Sequence, residues 1–206
     1  DNIKDSIGFA VSTSQRGYSA GYSELTTSPS IEKHKQISTK AFGIITSGSN
    51  TYEGDLVSMD SDGFTINWST VDGGATDNFY FLALKGGRYN VGTFTQATAT
   101  GSQGKTGVGF QPAGILFRSA NDAASTTINS NARLSIGAGS GSAARGSLWH
   151  GGANGVTTSN ESQNLDRANI IKMMTESHAT PTTQAAADLT SLDSDGWTLN
   201  WGSADA

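Results

Sequence analysis

Residues 56–68, LVSMDSDGFTINW, occur a second time as residues 189–201, LTSLDSDGWTLNW. Nine of the thirteen positions are identical, and three of the four differences exchange one large apolar side chain for another: Met59 for Leu192, Phe64 for Trp197 and Ile66 for Leu199. Each copy reads as a β-hairpin: a short strand, an Asp-Ser-Asp-Gly turn, then a strand in which apolar and polar residues strictly alternate. In the second arm Phe64, Ile66 and Trp68 face one way and Thr65 and Asn67 the other. The chain therefore reads as one small sheet built twice.

Working outward, the strand at Ile7-Gly8-Phe9-Ala10-Val11 has a counterpart in Leu134-Ser135-Ile136-Gly137, and the shared Ser-Ile-Gly sets an offset of 129 residues, against 133 at the hairpins. Loop insertions account for the drift. Residues 40–46 and 168–174 read as matching strands leading into the hairpins. Residues 78–84, NFYFLAL, are nearly all apolar, which predicts a central strand covered on both faces, ended by Gly86-Gly87. After a strand at 89–95 and a polar stretch, Pro112 stands at the entry to the strand 113–117, since proline cannot donate to a ladder. The polar, Gly/Ser-rich stretches 15–36 and 139–166 read as the longest irregular segments, where binding residues gather on rigid scaffolds.

A chain of 206 residues accommodates two domains of about 100 residues each. With 26 Gly and 3 Pro, and few helix-favouring runs, the composition suits strands joined by turns. The expected fold is all-β, two tandem β-sandwich (jelly-roll-like) domains of similar topology. Residues 1–87 form the first repeat, 88–106 a linking strand or linker, and 107–206 the second repeat. Copy one lacks an opening strand like GVGFQPAGILF, and copy two lacks a closing strand like FYFLAL. Such gaps leave unpaired N–H and C=O groups. A cut from a longer array, strands outside the given chain, or strand exchange with neighbours would each explain them.

The net charge of −5 and the lack of any long basic run argue against nucleic acid as a partner. Zero cysteine excludes disulfides and thiolate sites. No apolar run approaches the roughly 20 residues of a membrane span, and no leader pattern precedes the first strand, so the chain reads as soluble.

Together, GVGFQPAGILF, the Ser-Ile-Gly strand, the DSDG[FW]T[IL]NW hairpin and FYFLALKGG resemble a repeat module of uncharacterised structural proteins from tailed bacteriophages and prophages. The resemblance covers most of the chain. It implies a virion-associated β-sandwich, assembled in the host cytoplasm and presented on a capsid or tail, whose partners are other copies of itself or other virion proteins. The missing end strands and the Trp149-His150 segment depart from that pattern.

No motif announces a reaction. Asp60-Ser61-Asp62-Gly63 and Asp193-Ser194-Asp195-Gly196 offer hard oxygen ligands, so Asp60, Asp62, Asp193 and Asp195 are a weak metal alternative. The motif is too short for a calcium loop, and Asp and Gly are also what a tight hairpin needs. His34, His150 and His178 stand apart with no ligand spacing and read as surface residues, and no G-x-S-x-G elbow occurs. Trp68, Trp197 and Trp201 fall on the inward phase of their strands and read as core. Trp149, beside His150 between Gly-rich runs, has three readings: stacking on a sugar, plugging a neighbouring subunit, or folding back on its own domain. Tyr18 and Tyr22 share that ambiguity. The expectation is a non-enzymatic virion structural protein, a capsid decoration, fibre or tail component, with no cofactor. The alternative is a carbohydrate-binding module reading host surface glycans with Trp149, His150, Tyr18 and Tyr22.

Overall fold

The computed structural model describes residues 2–74, 78–157, 161–176 and 180–205, and among these there is no helix. The first half of the chain forms β1 (Asn2–Ala10), β2 (Arg16–Glu24), β3 (Ile31–Ile37), β4 (Phe42–Ile45), β5 (Asn50–Met59) and β6 (Phe64–Thr70). The second half forms β7 (Gly101–Lys105), β8 (Ile115–Ser119), β9 (Asn129–Ser130), β10 (Ala132–Gly141), β11 (Ala144–Gly152), β12 (Glu161–Asp166), β13 (Ile171–Met174), β14 (Thr183–Asp193) and β15 (Gly196–Ser203). These pair as four sheets, β1-β2-β3-β9, β4-β5-β6, β12-β11-β10-β8 and β13-β14-β15-β7. Every pairing is antiparallel. The fold is all-β.

The repeated hairpin closes where its turn residues predict, with Met59 opposite Phe64 and Asp193 opposite Gly196. Irregularities recur at equivalent places. The ladder slips after Leu56 and after Leu189, and again at Glu53/Gly54 and Ala186/Ala187. A bulge puts two residues opposite one and bends its strand, so both hairpins curve alike. In each half the first strand also crosses the lead-in strand closely. A Cβ on Gly8 would sit 1.9 Å from the Ala41 carbonyl oxygen, and one on Gly137 would sit 1.7 Å from that of Ile170. Only glycine fits there. A bidentate pair ties the sheets of each half together: Arg16 donates from Nε and Nη2 to Asp55 at 2.5 and 2.8 Å, and Arg145 does the same to Asp188 at 2.5 and 2.8 Å. Planar forks of this kind are among the stronger surface pairs.

The cores differ in chemistry. In the second half Ile170, Ile171, Met173, Leu189, Trp197, Leu199 and Trp201 pack with Phe94, Ile115 and Phe117. In the first half Tyr18, Ala20, Tyr22, Ile37 and Ile45 surround a buried polar knot. There Lys35 donates to Glu53 at 2.7 Å and to Asn50 at 3.0 Å, and the Tyr18 hydroxyl donates to Glu53 at 2.7 Å. Burial alone would raise the Glu53 carboxyl, but the hydrogen bonds from Lys35 and Tyr18 and the Lys35 charge outweigh it and hold the group below the usual carboxylate range.

The sheets β1-β2-β3-β9 and β12-β11-β10-β8 meet across a seam, with Gly21 of β2 against Leu134 of β10. Six consecutive residues of β2, Tyr18 to Ser23, are buried. That follows from covering both faces of a sheet, one by its own half and one by the other. Small Gly, Ser and Ala residues let the layers approach, and their composition imitates loop. Residues 15–36 and 139–166, expected to be irregular, are in fact mostly β2, β3, β10, β11 and β12. Conversely, residues 78–84 form no strand and lie exposed, against the expectation of a doubly covered central strand. Residues 89–95 likewise form none.

Candidate assembly interface

The aromatics expected at a binding surface lie inside the protein. Tyr18 and Tyr22 are 3% and 4% exposed on β2, and Trp149 is 0% exposed on β11. The Trp149 ring lies over Gly151, two residues along on the same face, where a side chain would collide with it. Of its three readings, folding back on its own domain describes its position. An indole sealed from water cannot stack on a sugar arriving from solution.

His150 keeps partial exposure and reaches the seam, where its Nε2 lies 3.3 Å from Glu161. Beside it the Ser23 hydroxyl lies 2.7 Å from Glu32 Oε1 and 2.5 Å from Glu161 Oε1. One hydroxyl proton cannot be donated to two carboxylates. Burial pushes the Glu32 carboxyl up to about 7, with the Ser23 hydrogen bond opposing and the Glu161 charge adding to the rise. A proton held on Glu32 resolves the shortage. The void beside Ser23 and His150 is about 10 Å³, too small for more than one water.

His34, expected at the surface, is instead buried at the seam, where Nδ1 lies 2.6 Å from the Asn131 carbonyl and Nε2 3.1 Å from Asp122. His178 lies outside the described residues. Asp60 accepts from Ser58 and Thr65, and Asp193 from Ser191 and Thr198, all at 2.7 to 2.8 Å. These hydroxyls hold both carboxyls below the usual range. Such closed hydrogen-bonding is turn chemistry, and among the described residues no three His, Asp or Glu side chains are grouped to hold a metal. Asp195 accepts instead from the backbone N–H groups of Gly107 and Gly109, at 3.0 and 2.5 Å. Asp62, its equivalent, is exposed on its turn.

What remains open is one flank of the first half. Trp197 and Trp201 are 5% and 1% exposed, as the alternation of β15 predicts, but their equivalents Phe64 and Trp68 are 37% and 41% exposed. The reading of Trp68 as core therefore fails: among the described residues no strand pairs with the outer edge of β6, and its apolar face keeps partial exposure. In the second half β7 pairs with β15, β8 pairs with β10, and Phe94 stacks on Trp197 at 4.7 Å. In the first half, β1 and β6 are edge strands. Residues 78–84 lie over this flank, with Phe79 on Phe42, Tyr52 and Trp68, and Phe81 on Phe64 at 5.2 Å. Tyr80, Phe81 and Leu82 are 98%, 73% and 83% exposed. Two unpaired edges bordered by exposed apolar residues form a surface of the kind that recruits another chain.

No helix of the described residues is long and apolar enough to cross a membrane. Compared with protein-family models, with curated proteins and with solved structures, the chain finds no match.

Proposed function

We propose that this protein is a non-enzymatic virion structural component of the tailed-phage type, a capsid decoration, fibre or tail element that works by self-assembly and surface presentation. The observation that carries the reading is the contrast between the two hairpins. The apolar face of β15 is sealed within the molecule, whereas that of β6 keeps partial exposure, beside two strand edges unpaired among the described residues. Exposed edges are normally blunted by charge, proline or a covering loop. Here they border Phe64, Trp68, Tyr80 and Leu82.

Co-sedimentation with virions, and concentration-dependent self-association followed by analytical ultracentrifugation, test the proposal. Association with particles that is lost in a Tyr80→Asp/Leu82→Asp variant is the expected result. A chain that stays monomeric at high concentration and never enters particles would refute it.

A further inference from the structure

The polar knot of the first half holds three side chains whose functional groups can react with one another. Lys35 comes from β3, and Asn50 and Glu53 come from β5. Residues three apart on a regular strand face opposite ways. Here the ladder steps from Ile44 opposite Tyr52 to Ile45 opposite Asn50, passing over Thr51, and the extra residue turns Asn50 onto the face of Glu53. Lys35 Nζ lies 3.0 Å from Asn50 Oδ1 and 2.7 Å from Glu53 Oε1, while the Tyr18 hydroxyl donates to the same carboxylate oxygen. Lys35, Tyr18 and Glu53 are 2%, 3% and 8% exposed, so water is largely excluded.

The second half keeps the scaffold without these groups. Ala20 faces Lys35 across β2 and β3 as Trp149 faces Asn164 across β11 and β12, and β14 passes over Gln184 as β5 passes over Thr51. The equivalents of Lys35, Asn50 and Glu53 are therefore Asn164, Thr183 and Ala186. The fold forms the same bulge with neither amine nor carboxylate at these positions.

We propose that Lys35, Asn50 and Glu53 are a self-modification site, at which the Lys35 amine condenses with the Asn50 side-chain amide to form an intramolecular isopeptide bond and release ammonia. A carbonyl bond is about 1.2 Å long, so the Asn50 amide carbon is at most about 4.2 Å from Nζ, and a small side-chain rotation brings it to the near-attack separation of about 3–3.5 Å. Tyr18 and Lys35 hold Glu53 as the carboxylate, the form that can accept a proton. Glu53 takes one from the Lys35 ammonium along their hydrogen bond, and the buried ion pair becomes a neutral amine and a neutral acid, which low polarity favours. The Nζ lone pair attacks Cγ and forms the new C–N bond. Glu53 passes its proton to Nδ2, the Cγ–Nδ2 bond breaks with its electron pair leaving on nitrogen, and the second Nζ proton departs by way of Glu53 with the ammonia. A lysine ammonium and an amide become a secondary amide and an ammonium ion, with the carboxylate restored, so atoms and charge balance without a co-reactant. The bond ties β3 of one first-half sheet to β5 of the other. It does not depend on the assembly reading.

Intact-mass spectrometry of the purified chain under denaturing conditions, after prolonged incubation in the folded state, tests it. A mass lower than that of the sequence by one ammonia is expected, and proteolysis should release a branched peptide joining Lys35 to Asn50. Glu53→Gln and Asn50→Ala should each keep the full mass, with far-UV circular dichroism establishing that they fold. Asn50→Ala leaves the Lys35–Glu53 pair in place, and so also provides the unlinked background on which that ion pair is weighed. Ring closure of Asn154 onto the Gly155 nitrogen would expel ammonia too, but it yields no branch and persists in Lys35→Arg. The full sequence mass in the unaltered chain, an ammonia loss that survives in Lys35→Arg, a branch at other residues, or linkage undiminished in Glu53→Gln would overturn the proposal.

Discussion

Trp68 and Trp201 occupy the same position of the same thirteen-residue motif, so truncating each to alanine isolates the effect of environment. Trp201 is 1% exposed and its indole donates to Gln103. Removing it leaves a large cavity, a loss of about 3–5 kcal/mol for the ring, and takes the indole donor from the half-buried Gln103 carbonyl, adding up to about 1 kcal/mol. Trp68 keeps 41% exposure. Scaling the same ring loss by the covered fraction gives about 2–3 kcal/mol, drawn mainly from its edge contacts with Phe42 at 4.7 Å and Tyr52 at 6.0 Å. Urea unfolding followed by far-UV circular dichroism should show Trp201→Ala costing more than Trp68→Ala by at least about 1 kcal/mol. Should the halves melt separately, each variant shifts its own transition. Equal losses, or a larger one for Trp68→Ala, would mean that the first-half flank is already covered in solution, and the account of its exposure would fail.

Three further perturbations probe the interior. Gly8→Ala and Gly137→Ala each drive a methyl group into a carbonyl oxygen, so both should lose at least about 3 kcal/mol, while Gly48→Ala, on an open turn, should change the melting temperature little; tolerance at Gly8 or Gly137 would contradict the close crossing. Glu32 should make stability fall as pH rises: its carboxyl is held near 7 in the fold against 4.5 when free, so the protonated form is favoured by folding, and this contribution is complete below the free value and lost as pH climbs through 7. The ceiling is about 3 kcal/mol. The comparison that decides is with Glu32→Gln, whose profile should be flatter between pH 4.5 and 7; an identical profile would place the effect elsewhere. Lys35→Met should cost about 3–5 kcal/mol by stranding the Glu53 carboxylate, and adding Glu53→Leu should recover much of that; a double variant no better than the single would show that the pair is worth more than its desolvation.

The sequence by itself determined the all-β class, the hairpins and their turns. These are local properties: alternation assigns faces within one strand, and Asp and Gly shape a turn from four residues. Even the strands around Ile7, Ile136, Ile44 and Ile171 were legible from short apolar runs. Tertiary structure decided everything that depended on what lay across from a residue. Residues 15–36 and 139–166 looked like loop because a sheet covered on both faces selects Gly, Ser and Ala for close approach, the same residues that loops use. For the same reason the sequence leaves Trp149 open between exposure and folding back, and the seam that brings Ser23, Glu32, His150 and Glu161 together joins positions up to 138 residues apart, a spacing that carries no periodic signal. Residues 78–84 failed in the opposite direction, since an apolar run predicts burial only where another layer lies over it, and Tyr80, Phe81 and Leu82 are exposed. Trp68 and Trp201 state the limit most plainly: one motif with one alternation yields a surface residue and a core residue, because burial is conferred by the strand that packs opposite, and the motif does not contain it.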